Sequence, residues 1–379
     1  MKRKLSWFAG RGDAKGVKLR RLAWFSAAGA AAVGLGVTLV GIGAGVAAVS
    51  LVRRLGLRRE EVRGKVVLIT GSSRGLGFAL AEEFTRLGAR LVICARNPVE
   101  LELARERLAR HGAEVLAVRC DITVQDDVER LVREANARFG RVDILINNAG
   151  VIEVGPLQSQ TFADFQEAMN VMFWGMVYPT LAVLPQMIAR RSGQIANITS
   201  IGGKLAVPHL LPYNCAKFAA VGFSEGLHAE VAKDGVTVTT VVPGLMRTGS
   251  HVNAFFKGNN RAEYSLFSLG ATLPLVSMNA RRAAHKIVTA VRSGRSEIIL
   301  TPQAKLAAMF NGVFPGITSD LMGLLNRMLP AGEARERHTG KESETAVTQS
   351  FITALGRRAA EEFNQFPERH EPRSGALAG

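Results

Sequence analysis

The sequence predicts an α/β chain: a doubly wound parallel sheet of about seven strands, preceded by a transmembrane helix. Three observations predict it. Short apolar runs rich in β-branched residues alternate with helical stretches from residue 65 to 300, as in sheets whose strands are buried on both faces. A glycine-rich loop at 71–77 joins the first run to a helix. Residues 22–52 carry no charged side chain, and about 20 apolar residues suffice to cross a bilayer.

The elements follow in order. Residues 65–70 (KVVLIT) form the first strand, and 75–87 a helix stopped by Gly88. Strands at 90–95 and 114–120 bracket a charged helix at 98–110. A helix at 124–139 leads to a fourth strand at 142–147, and 161–191 holds two helices. A fifth strand at 193–199, a helix at 212–233, a sixth strand at 236–242 and a seventh at 297–300 complete the alternation. The apolar stretches 306–314 and 321–329 are too short to span a bilayer. They lie on a membrane surface or cap the core. From 331 the chain is polar and reads as a loose tail, with one short helix near 350–363.

The organisation is therefore a basic segment 1–21, a membrane span 22–52, a basic linker 53–64, a catalytic domain 65–300, apolar helices 301–330 and a polar tail 331–379. The first 65 residues hold +11 of the net charge of +16. Basic residues flanking an apolar span are expected of a membrane anchor, so the charge does not argue for nucleic acid. The positive-inside rule gives a near tie for orientation. Gly41 and Gly45 form a small-xxx-small pair, which either pairs helices or fills a lone one. With 47% hydrophobic residues, wholesale disorder is excluded; three cysteines make neither a disulfide framework nor a zinc site.

The loop Thr70-Gly71-Ser72-Ser73-Arg74-Gly75-Leu76-Gly77 ends a strand and opens a helix. Glycines let the backbone approach a pyrophosphate, and the helix N-terminus offers free N–H groups and a positive dipole end. TGSSRGLG resembles the TGxxxGxG loop of the short-chain dehydrogenase/reductase superfamily. Asn147-Asn148-Ala149-Gly150 is similar to that family's NNAG motif, Tyr213-Asn214-Cys215-Ala216-Lys217 to YxxxK, and Pro243-Gly244 with Thr248 to PGxxxT. Ser200 precedes Tyr213 by the family's usual 13 residues. The resemblance covers about residues 63–300 and implies a Rossmann-like fold, a nicotinamide cofactor and hydride transfer at a carbonyl or secondary alcohol.

Residue by residue, the resemblance implies that Asn170, Ser200, Tyr213 and Lys217 are catalytic. Tyr213 is the acid/base, Ser200 orients the substrate oxygen, Lys217 holds the nicotinamide ribose, and Asn170 links Lys217 to solvent through a water. Tyr213 and Lys217 share a helix face, and a neighbouring ammonium is expected to lower the phenol's pKa. Gly71, Ser72, Ser73, Arg74, Gly75, Leu76 and Gly77 are implied to hold the cofactor, with Asn148, Ala149, Gly150, Pro243, Gly244 and Thr248. Asp121-Ile122 is assigned to the adenine ring; Asp121 is alternatively an N-cap for the 124–139 helix. No carboxylate stands at the end of the second strand, where Ala95 and Arg96 sit. Arg74 and Arg96 suit a 2′-phosphate, so the expected cofactor is NADP(H).

Loops 152–157, 202–211 and 251–275 are the candidate substrate walls. Their apolar residues, among them Val154, Leu205, Phe256 and Tyr264, line a lipophilic pocket or pack on one another or at a dimer interface. His209 is expected at the substrate mouth and Cys215 in the packing. The expected partners are a lipophilic small molecule, the membrane and further copies of the chain, with no nucleic acid and no metal. The expected enzyme is a single-pass membrane protein with its catalytic domain on the cytoplasmic side. The rival is an NADP(H)-binding sensor or scaffold without turnover.

Overall fold

The computed structural model describes residues 60–273, 276–346, 348–350 and 353–366. The expected basic segment 1–21, the span 22–52 and most of the linker 53–64 lie outside the described residues.

Twelve strands are numbered here in chain order among the described residues. They are β1 (Val66–Thr70), β2 (Arg90–Ala95), β3 (Val115–Arg119), β4 (Ile144–Asn147), β5 (Glu153–Val154), β6 (Gly193–Ile198), β7 (Val236–Val242), β8 (Met246–Arg247), β9 (Phe255–Phe256), β10 (Met278–Asn279), β11 (Glu297–Ile299) and β12 (His338–Thr339). Seven form the main sheet, in the order β11-β7-β6-β4-β1-β2-β3. Every neighbouring pair is parallel. The chain winds outward from β1 to β3, then restarts at β4 on the other side. That reversal opens a crevice beyond the C-terminal ends of β1 and β4, the place where ligands bind such sheets.

The strands read as unbroken apolar runs because both faces are covered. On β1, Val67 and Ile69 join one apolar cluster and Val66 and Leu68 the other, the period-2 alternation of a pleated strand. The first face is covered by α1 (Gly75–Arg86), α2 (Pro98–Arg110) and, later in the chain, residues 280–292. The second is covered by α3 (Gln125–Phe139), α4 (Phe162–Met169), α5 (Gly175–Ala189) and α6 (Leu211–Val231). Asn97 caps α2 by accepting from the amides of Val99 and Glu100. Thr161 and Asp164 form a capping box on α4. Arg74, by contrast, gives α1 no side-chain cap, which leaves its first amides to other acceptors.

The seventh strand is present as β11, and the 161–191 stretch is two helices joined by a π-helical turn at Asn170–Trp174. Phe162–Ala189 is long and apolar enough to cross a membrane, yet Ala168, Met172, Val183 and Met187 are buried against the sheet, so it serves as a core helix. After α7 (Asn260–Thr272) and α8 (Ala280–Arg292) come α9 (Pro302–Val313) and α10 (Pro315–Asn326). These last two hold the predicted apolar stretches, and they do not cap the core. Leu306, Phe310, Val313, Ile317, Leu324 and Met328 are all exposed.

The loose tail expected from residue 331 is not what the described residues form. β12 pairs antiparallel with β9, and β5 pairs parallel on its other side. α11 (Ala354–Glu362) and Phe363 enter the main core, where Ala360 and Phe363 are 0% exposed. Polar residues of this stretch that suggested solvent instead hydrogen-bond to partners within residues 65–300, which composition does not reveal.

Candidate active site

The phosphate loop is rigid and built for close approach. Gly71 and Gly75 both have φ of 62°, which L side chains rarely adopt. A β-carbon at Gly77 would lie 2.2 Å from the Gly71 carbonyl oxygen. Asn148 locks the loop: its Nδ2 donates to the carbonyls of Thr70 and Gly71, each at 3.0 Å. The amides of Asn148 and Ala149 both donate to Thr70 Oγ1. The NNAG segment thus supports the loop from beneath. Asn147 points into the sheet instead, donating to Thr180 and Asn197.

Ser200 follows β6 and its Oγ accepts from the Gly202 amide at 3.0 Å. Tyr213 and Lys217 stand one turn apart on α6, with Lys217 Nζ 5.8 Å from the Tyr213 ring centre. Lys217 Nζ donates to the Ile198 carbonyl at 2.9 Å, so it lies at the end of β6 beside Ser200. Burial lowers its pKa from the usual lysine value to about 8. Burial also pushes the Tyr213 phenol up, while a hydrogen bond with Ser200 acts the other way. The net shift of Tyr213 is therefore upward, against the expected lowering, because desolvation outweighs the Ser200 hydrogen bond.

The structure does not bring Asn170 to this group. Its side chain is exposed at the start of the π turn. Met172 takes the inner position, 1% exposed, and lines a cavity with Tyr213. Helical phase carried that signal. Ala168 and Met172 are four apart on the buried face, and two residues rotate a helix by about 200°.

Arg74 and Arg96, the pair expected to face a 2′-phosphate, lie in the phosphate loop and just past the end of β2, but Arg74 is not free. Its Nη1 lies 3.1 Å from Glu100 Oε1, and Ser73 Oγ donates to the other carboxylate oxygen. Sequence reading missed Glu100 because an acidic residue in the first turn of α2 reads as an ordinary helix-dipole partner. Arg96 is exposed. Asp121 does not cap α3. Its Oδ1 accepts from Thr123 N and Oγ1, and Val124 holds the cap position. Ile122 is buried. Pro243 accepts from the Ile201 amide, Gly244 approaches Thr301, and Thr248 is 3% exposed.

On the substrate side, Val154, Phe256 and Tyr264 pack with Leu210 and Phe267 as a small separate core, so these residues fill space rather than line an open pocket. Beside Tyr213 the cavity is only about 10 Å³, room for a single water. Arg337 closes it, held by Glu153 at 3.0 Å and Glu167 at 2.7 Å and lying over the Phe255 ring. Lys257 bridges Asp164 at 2.5 Å and Glu153 at 3.5 Å beneath. His209 is turned to a buried contact with Glu263 at 2.5 Å. Cys215 is exposed, not packed.

The profile of the short chain dehydrogenase family matches residues 65–257. The chain is a short-chain dehydrogenase/reductase. This dehydrogenase/reductase is 34% identical over 255 residues to a dehydrogenase/reductase SDR family protein 7-like of Anopheles gambiae, covering 66% of this chain and 78% of that protein. It is 31% identical over 280 residues to a fatty acyl-CoA reductase of Acinetobacter baylyi, covering 73% of this chain and 90% of that one. Among solved structures, a short chain dehydrogenase/reductase from Burkholderia phymatum in complex with NAD superposes with a TM-score of 0.63 at 25% identity, over 68% of this chain and 96% of that one. The dehydrogenase/reductase is thus an oxidoreductase with a nicotinamide cofactor.

Proposed function

We propose that this enzyme is a membrane-anchored, NADP(H)-dependent oxidoreductase acting on a carbonyl, or the matching secondary alcohol, of a lipophilic molecule: a ketoacyl group, steroid, retinoid or long-chain ketone or aldehyde. One observation carries the reading. Ser200, Tyr213 and Lys217 converge at the carboxyl-terminal end of β6, and the phosphate loop follows the same end of the parallel strand β1. The residues fit the dinucleotide. A glycine cradle that any β-carbon would fill stands beside an α1 N-terminus without a side-chain cap. When bound, the reduced nicotinamide supplies a hydride to a carbonyl carbon. Tyr213 gives its phenolic proton to the substrate oxygen, Ser200 orients that oxygen, and Lys217 favours the phenolate left behind. Met172 offers no polar atom for a water chain at the place assigned to Asn170, so proton return is read as passing through the Lys217 side. NADPH oxidation by the detergent-solubilised chain against a panel of lipophilic ketones and aldehydes tests the reading. Tight NADPH binding without turnover on any of them would favour the sensor.

Cofactor choice rests on Arg74 and Arg96. Arg74→Ala/Arg96→Asp is expected to weaken NADPH by about 10-fold or more, the value of a lost charge-assisted hydrogen bond, and NADH far less. Glu100 competes for Arg74, so Glu100→Gln should strengthen NADPH binding in the same titration. Equal losses for both dinucleotides would overturn the assignment.

The membrane reading draws on residues 22–52 and on the exposed apolar side of α9 and α10, with Lys305 and Arg327 exposed beside it. The full chain is expected to stay in the pellet after alkaline carbonate extraction; recovery in the supernatant would overturn the anchor. Cellular NADPH supports a catalytic domain on the cytoplasmic side. Self-association is supported by an exposed surface on α5, α6 and the π turn, where Trp174, Leu181 and Phe218 stand out beside open glycines at 222 and 226. Trp174→Asp/Phe218→Asp is expected to halve the mass seen by light scattering in detergent.

A further inference from the structure

We propose that the segment Phe363-Asn364-Gln365 is an intramolecular ligand of the phosphate cradle, and that the dinucleotide must displace it to bind. This rests on reading the glycine loop as the dinucleotide site. The Gly75 amide, at the N-terminus of α1, donates to the Phe363 carbonyl at 2.8 Å. That amide is one of those a phosphate would take. Asn364 Nδ2 donates to the Ser73 carbonyl at 2.9 Å. Gln365 spans the cleft. Its Nε2 lies 3.0 Å from where a Gly75 β-carbon would stand and donates to the Thr248 carbonyl on the opposite wall at 3.1 Å. Its Oε1 accepts from Asn253 at 2.7 Å. The two walls it joins carry the TGxxxGxG and PGxxxT motifs, so a diphosphate and Gln365 claim the same space.

The segment is built in, not resting on the surface. Asn364 is 0% and Gln365 3% exposed. Asn364 takes a φ of 57°, which asparagine tolerates. Phe363 anchors it in the main core, and Arg281 and Arg107 hold Glu362. The preceding chain fits as closely: a β-carbon at Gly340 would lie 2.1 Å from the His251 carbonyl oxygen. Arg337, on the same extension, closes the substrate cavity beside Tyr213. One continuous extension therefore covers both halves of the active site. The docked state carries a weak point. Among the described residues, Asn364 Oδ1 is buried without a hydrogen-bond partner, an unpaired acceptor that opposes docking and leaves the segment open to competition.

The free chain then binds cofactor only from its undocked fraction, and its apparent affinity falls accordingly. The test uses the full chain in detergent and a full-length Asn364→Gly/Gln365→Ala variant, which removes both side chains but keeps the left-handed turn and the Phe363 anchor. NADPH is titrated by its own fluorescence. The variant is expected to bind about tenfold tighter or more. Equal or weaker binding overturns the plug. Amide exchange on the unaltered chain gives a second reading that needs no variant. Exchange across 354–366 should rise when NADPH is saturating, whereas a fall would make the segment part of the bound site and overturn displacement. Failure of both chains to bind NADPH or NADH would overturn the dinucleotide reading along with the plug; equal binding by both overturns the plug alone.

Discussion

Replacing Tyr213 by Phe is expected to lower turnover on the order of 10²–10⁴-fold, the range of a lost general acid. NADPH affinity should change by no more than about tenfold, the value of one hydrogen bond. The split matters because a misfolded site would lose both together. Ser200 and Lys217 remain in the variant, so any residual rate reports orientation and binding without proton transfer. The pH profile carries a second expectation. Lys217 is held near pKa 8 by burial, so its ammonium is lost as pH rises through that value. The reductive kcat/KM is expected to fall above about pH 8. In Lys217→Arg that limb should vanish, because a guanidinium does not titrate there. For stability the sign runs the other way. A lysine depressed in the folded state costs stability while both states are protonated, and that cost is relieved as pH rises from about 8 to the unfolded value.

Lys257→Met is the largest expected stability loss outside the proposed Ser200–Tyr213–Lys217 site. Lys257 is 3% exposed and holds Asp164 at 2.5 Å and Glu153 at 3.5 Å, both carboxylates buried. Removing one partner of a buried ion pair costs on the order of 3–5 kcal/mol, because the remaining charge is uncompensated. Thermal unfolding should register a fall in Tm of roughly 10 °C. A change under about 2 °C, or less than 1 kcal/mol, would mean that Arg337 alone neutralises the cluster. The acid side separates the two carboxyls. Burial would raise Asp164, but hydrogen bonds from Lys257 and Thr161 outweigh it and hold it low. Its contribution is complete above its unfolded value and is lost as pH falls through the folded one. Glu153 is raised, chiefly by burial. It costs stability at neutral pH, and that cost fades as pH falls below its folded value.

Much of the fold was legible because its signals are local. A strand buried on both faces must be apolar throughout, so 66–70 and 236–242 read directly from residue type. The phosphate loop was legible because only glycine fits where Gly77 meets the Gly71 carbonyl. Helical spacing sets Tyr213 and Lys217 on one face, but it was the resemblance to the family's YxxxK motif that singled them out. Asn170 failed because a motif position does not specify the rotation of its helix. Packing of Ala168 and Met172 into the sheet sets that rotation and turns Asn170 to solvent.

The sequence by itself determined the parallel sheet, the order of its elements and the glycine cradle, since each depends on residues near one another in the chain or on a period of two; the Ser200–Tyr213–Lys217 group came from it only as what the resemblance to the family implies. Only the tertiary structure decided that Glu100 takes Arg74, that Arg337 closes the mouth beside Tyr213, and that Phe363-Asn364-Gln365 lies in the cradle. Those contacts join residues far apart in the chain: Ser73 meets Asn364 across 291 positions. Polar side chains such as Asn364 and Gln365 look the same in sequence whether water or a buried carbonyl satisfies them, and the fold alone supplies the carbonyl.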